Sequence, residues 1–133
     1  MTVIRCLNDV LIGMMNMEAT AEAKSFNFAV RIVNLCQYLE ESKRAYVLSK
    51  QLIRSGTSIG ANIAEAQQAQ SRADFIAKLS ISLKEASETD YWLRLLHATQ
   101  MLSDEEFISI IRDCRELEKI LTAIIKSSKQ GSS

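Results

Sequence analysis

The chain of 133 residues contains no proline and only four glycines. At ordinary usage, roughly six or seven prolines would stand in a chain this long. Proline and glycine are the punctuation of strands and tight turns. Their scarcity points to long helices joined by short connections. Apolar residues make up 47% and charged residues 24%, as in a globular chain rather than a disordered one. The length suits one domain, which buries roughly two-thirds of its unfolded surface.

Periodicity divides the chain into four helical segments. The first spans about 25–41, with Phe28, Ile32, Leu35 and Leu39 at helical spacing. Ser42 is placed to cap a second, 43–70, with a stripe of Leu48, Leu52, Gly56, Ile59, Ile63 and Ala66. Ser71 and Asp74 have the form of a capping box opening a third, which continues to about Gln100. Ser103 and Glu106 form a second box, followed by heptads of Phe107, Cys114, Leu121 and of Ile110, Leu117, Ile124 up to about Lys126. Short loops between such helices predict an all-α, antiparallel up-down four-helix bundle over 23–128. Residues 1–22 read as an N-terminal extension, either upstream of the true start or poorly ordered, and 129–133 as a polar tail. A secretory signal within 1–22 is interrupted by Asn8 and Asp9.

Sixteen basic residues are balanced by sixteen acidic ones, so any electrostatic footprint is local. Cys6, Cys36 and Cys114 are odd in number and far apart, which argues for a reducing compartment and against a disulfide framework or a thiolate zinc site. With no apolar run of membrane-spanning length, the expected location is the cytoplasm. No cofactor, metal or small-molecule substrate is indicated. The single histidine, His97, reads as structural, because no Glu-x-x-His pairs accompany it.

Three constellations remain. Arg31, Lys43, Arg44, Lys50 and Arg54 form a basic set that could contact phosphates of RNA or DNA; a solvated helix face is the plainer reading. Helix three is apolar on two sides, and Ile81, Trp92 and Leu95 on the second arc suggest self-association. Gly56, Gly60 and Ala64, at i, i+4 and i+8, join that interface as a surface of close backbone approach. Arg54, Asn62, Glu65, Glu85 and Glu88 are candidates for a structural polar network. The sharper alternative makes Glu65, Glu85 or Glu88 a catalytic carboxylate.

Leu48 through Ala66, and Ala73 through Leu96, together resemble the two signature blocks of the bacterial four-helix-bundle proteins related to those encoded in ribosomal-RNA intervening sequences. The likeness covers about 25–128. It implies a bundle assembling into a homo-oligomer, typically a pentameric ring, with no known enzymatic activity and no catalytic residues. The family is similar to accessory proteins of diversity-generating retroelements, which form basic pentameric barrels binding nucleic acid and a reverse transcriptase. Gly60 stands where many members carry proline, Ala66 where they carry glycine, and this chain is neutral where the retroelement relatives are basic. The resulting expectation is a non-catalytic, self-assembling adaptor or scaffold, with nucleic acid or a nucleic-acid-processing protein as partner. The alternatives are a protein–protein module without nucleic-acid affinity and, more remotely, an enzyme.

Overall fold

The computed structural model describes the backbone of residues 2–131, and the side chains of residue 5 and residues 12–131. Four helices follow one another: α1 (Thr2–Lys43), α2 (Tyr46–Ala66), α3 (Arg72–Ala98) and α4 (Asp104–Gln130). Each packs on its neighbours in chain order, and α1 also meets α4. Among the described residues α1 makes no contact with α3, nor α2 with α4. The helices therefore stand at the corners of a square, with α2 diagonal to α4.

α1 begins far earlier than its periodic segment suggests. Alanine, glutamate and lysine, all good helix formers, make up 18–24 apart from Thr20, and the helix tolerates Gly13 upstream. The stretch read as an extension is thus helical from Thr2, with Ala21 buried and Met17 packed on the core.

The second helix does not start at Ser42. Ser42 and Lys43 still belong to α1, Arg44 turns into the left-handed region at φ 53°, and Ala45 precedes α2 without any side-chain cap. The Ala45 N–H reaches back to the Leu39 carbonyl at 3.0 Å, so the turn is closed by backbone rather than by a serine.

α2 ends at Ala66, not Gln70, because the chain must reverse before Ser71 caps α3. The Ser71 hydroxyl accepts from the Asp74 N–H at 3.0 Å, while the Asp74 carboxylate accepts from Gln70 N–H rather than from Ser71. The box at Ser103 and Glu106 is complete. α4 continues four residues past Lys126, and Ser128 is buried.

The core is one cluster running the length of the square. Phe28, Ile32, Leu39, Leu52, Ile59, Leu93, Leu117 and Leu121 are almost wholly buried, each contributing about 1.5–3 kcal/mol on removal from water. Both α4 heptad rows point inward, with Phe107 at the margin stacking on His97, ring centroids 4.1 Å apart. His97 also bonds Asp104 at 2.7 Å.

Gly56 and Gly60 lie against α1 of the same chain. A Cβ on Gly56 would sit 2.8 Å from Cγ1 and Cγ2 of Ile32, and one on Gly60 would sit 3.3 Å from Ser25 Oγ. Their expected place in an interface between copies is corrected accordingly: the close approach they permit is between α1 and α2. Ala64 remains exposed.

Buried hydroxyls stitch the helices together. Ser82 Oγ donates to Ile59 O at 2.8 Å, and Thr89 Oγ1 donates to Ser55 Oγ at 3.0 Å. Among the described residues no buried side-chain nitrogen or oxygen lacks a partner, as a native core requires.

Candidate functional site

The five-residue basic set does not form one surface. Arg31 points at α4, donating to the Asp113 carboxylate and, at 2.9 Å, to Ser109 Oγ. Arg54 points at α3, donating to Glu85 at 3.3 Å and to Glu88. Both guanidinium groups are already neutralised within the chain. Lys43, Arg44 and Lys50 stay exposed near the α1–α2 turn, where Glu41 is exposed beside them.

The polar network survives in part. Arg54, Glu85 and Glu88 meet, and Trp92 Nε1 donates to Glu88 at 3.2 Å. The Arg54 hydrogen bond, helped by Trp92 and by the Arg54 charge, holds the Glu88 carboxyl below its ordinary value against the opposing effect of burial. Asn62 and Glu65 stand apart from it. Asn62 donates to Ser58 O at 2.8 Å, and Glu65 pairs with Lys78 at 3.2 Å. The carboxylates considered for catalysis are therefore each engaged by a cation of the same chain.

A tighter cluster lies between α3 and α4, around Asp90. Its carboxylate accepts from Arg94 Nε at 2.8 Å and from Arg115 Nε at 3.0 Å. Burial opposes its ionisation, but the hydrogen bonds from Arg115 and Arg94 outweigh burial and hold the carboxyl below its ordinary value. Glu118 lies beside it and accepts from Ser87 Oγ at 3.3 Å. Burial and the charge of Asp90 both push Glu118 upward, so the two carboxyls titrate in opposite directions.

Cys114 completes the group, its Sγ within 4.8 Å of both carboxyls. Burial pushes its thiol far up, and it donates to Ala86 O at 3.4 Å. Two arginines, each about half exposed, already engage the buried Asp90 carboxylate, so the cluster acts as a half-buried ionic tie between α3 and α4. The sequence signals for it were Asp90 on the core-facing arc and Arg94 one turn later. Arg115 and Glu118 needed the register of α4.

Several clefts among the described residues open to solvent, and two are the roomiest of these. One, about 490 Å³, lies at the end of the bundle among Met14, Glu18, Arg72, Phe75 and Ser127. Burial raises the Glu18 carboxyl there. The other, about 650 Å³, runs along α4 past Phe107, Ile108, Arg112 and Lys119. Neither brings together a nucleophile, a base and an orienting group.

Outward-facing apolar residues are the more distinctive feature. On α1, Phe26, Val30 and Val33 follow at i, i+4 and i+7 on the side opposite the core row of Phe28, Ile32 and Leu39. Phe26 is 68% and Val30 47% exposed. At the α2–α3 seam, Ile81 is 43% exposed, and Trp92 and Leu95 are half-buried. Val47, 76% exposed, lies two turns before Arg54 on one face of α2. Since Arg54 meets Glu88 in an antiparallel pair, Val47 stands opposite Leu95.

The sequence matches the 23S rRNA-intervening sequence protein family over residues 18–123. A crystallographically solved protein of unknown function from the S23 ribosomal protein family of Bacteroides thetaiotaomicron VPI-5482 shares 55% sequence identity and superposes with a TM-score of 0.82, covering 83% of this chain and 98% of its own. No curated protein matches the chain.

Proposed function

The chain belongs to the 23S rRNA-intervening sequence protein family, and from its outward apolar faces we propose that it works as a non-catalytic, self-assembling adaptor or scaffold. The observation that carries this reading is the pair of unlike apolar faces, Phe26–Val30–Val33 on α1 and Val47–Trp92–Leu95 at the α2–α3 seam. One stripe is enough to fix a helix to a bundle. Aromatic residues on a second stripe are typical of interface cores. When the face that binds differs from the face that is bound, copies join head to tail, and such a contact closes into a ring or runs on as a filament. The pentameric ring implied by the resemblance is one closed solution. Bulk charge offers no alternative driving force, since the chain is neutral.

Sedimentation velocity tests this. The wild type is expected well above the single-chain mass of 14.9 kDa. Phe26→Asp and Val47→Asp change exposed side chains on which the fold does not rely, and each alone is expected to sediment as a monomer. Each keeps the face that the other has lost. An equal mixture is therefore expected to form a one-to-one dimer and nothing larger. A monomeric wild type, or variants that keep its mass, would sink the proposal.

A further inference from the structure

The heptad that buries one side of α4 also orders its opposite side. Arg112, Lys119 and Lys126 each stand two positions after a core residue, Ile110, Leu117 and Ile124. Seven residues turn a helix through nearly two full revolutions, so the three cations lie in one row, about 10 Å apart and about 21 Å from end to end. All three are exposed, and none makes a hydrogen bond or ion pair among the described residues. Each acid of the same stretch is engaged by another residue, although Glu116 shares the cleft lined by Arg112 and Lys119. Asp113 is held by Arg31, Glu116 by Lys24, and Glu118 lies inward against Ser87 and Asp90. Beyond Glu118 the sequence has no further acid. A neutral chain thus carries, among its described residues, a row of three exposed cations without ion-pair partners on one helix, and that helix is diagonal to α2.

We infer that the outer face of α4 docks the sugar–phosphate backbone of a nucleic acid through Arg112, Lys119 and Lys126. A linear row of evenly spaced point charges complements a linear polyanion, whose affinity derives from phosphate neutralisation and counterion release. An anionic bilayer would call for an apolar strip to insert beside the charges. Within the row the outward residues are Arg115, Glu116, Thr122 and Ala123, and the exposed Ile108 lies only at one end. The inference does not rest on self-assembly, which would only repeat the row on every copy and raise avidity.

Fluorescence anisotropy with a labelled DNA duplex and a labelled RNA hairpin, across a salt series, tests the row. Three phosphate contacts give a slope of about −2.7 in log K against log salt on duplex DNA, a roughly 40-fold loss between 50 and 200 mM. The triple variant Arg112→Gln, Lys119→Gln, Lys126→Gln is expected to lose at least tenfold in affinity at 50 mM salt and to flatten the slope. A control variant, Lys43→Gln, Arg44→Gln, Lys50→Gln, carries the same net charge and is expected to bind like wild type. Circular dichroism of both variants confirms that these exposed changes leave the fold intact. Absence of wild-type binding at 50 mM salt, equal loss in both variants, or binding to anionic vesicles in place of both nucleic acids would overturn the inference. Preference for one probe over the other tells whether the backbone is that of DNA or RNA.

Discussion

Replacing Gly56 by alanine tests whether the α1–α2 contact is as close as the backbone implies. The new Cβ would lie 2.8 Å from both Cγ1 and Cγ2 of Ile32. Those atoms sit next to the backbone of a β-branched side chain that has one strongly preferred rotamer in a helix, so they cannot swing aside. Overpacking of this kind costs about 1–3 kcal/mol, while alanine's better helix propensity returns about 1 kcal/mol. Gly56→Ala is therefore expected to destabilise the protein by about 1 kcal/mol, and at most by about 2. Ile32→Ala alone is expected to cost about 2–5 kcal/mol. In that background both obstructing atoms are gone, so Gly56→Ala should stabilise, by about 1 kcal/mol from propensity alone. The sign of one substitution thus reverses with the identity of a residue on another helix. Urea denaturation followed by far-UV circular dichroism measures all four corners of the cycle, at one protein concentration because self-association adds to apparent stability. Equal effects of Gly56→Ala in both backgrounds, within about 0.5 kcal/mol, would refute the reasoning.

The carboxyls between α3 and α4 should show opposite linkage. Asp90 is depressed from 3.8, so its contribution is present above that value and is lost as pH falls through the folded-state value. Glu118 is raised from 4.5, so its contribution is complete below that value and is lost as pH rises through the folded-state value. Glu118→Gln is expected to raise the urea midpoint near neutral pH and to change little near pH 4, whereas Asp90→Asn lowers it at neutral pH by about 2 kcal/mol. A pH-independent effect of Glu118→Gln would contradict the assignment. At the α3–α4 turn, Ser103→Ala removes a complete capping box and is expected to cost about 1 kcal/mol. Gln100, held at φ 64°, is expected to gain stability on replacement by glycine. Thermal melts of the two variants should therefore shift in opposite directions.

What the sequence conveyed is mostly what neighbouring residues decide. The heptads of α4 and the box at Ser103 are complete within a few residues of chain, and the structure realises both. The start of α2 escaped because Ser42 is a plausible cap in isolation, while the actual closure is a backbone bond from Ala45 to Leu39. Gly56 and Gly60 announced that something approaches closely without saying what, and the partner is α1 of the same chain. Local sequence groups Arg31 with a basic patch, because Asp113, which claims it, lies 82 residues further on. The Arg54 pairing with Glu85 and Glu88 was legible, since α2 and α3 are consecutive and must lie side by side. The Asp90 cluster was not, because it depends on the sliding register of α3 against α4, which no local pattern records.

The square arrangement also has a kinetic side. Three of its four helix contacts join helices that are consecutive in the chain, so each can form as a hairpin after a short loop closure, the situation that favours fast folding. Only the α1–α4 contact must wait for the two ends of the bundle to meet. That seam is also the thinnest of the four. Its ties include the half-exposed pairs Lys24–Glu116 and Arg31–Asp113, which salt weakens. Partial opening of the native state should begin there, with α1 or α4 lifting from a still-folded remainder. In hydrogen exchange, amides of these outer helices would then escape protection before those of α2 and α3, and raising the ionic strength would widen the gap.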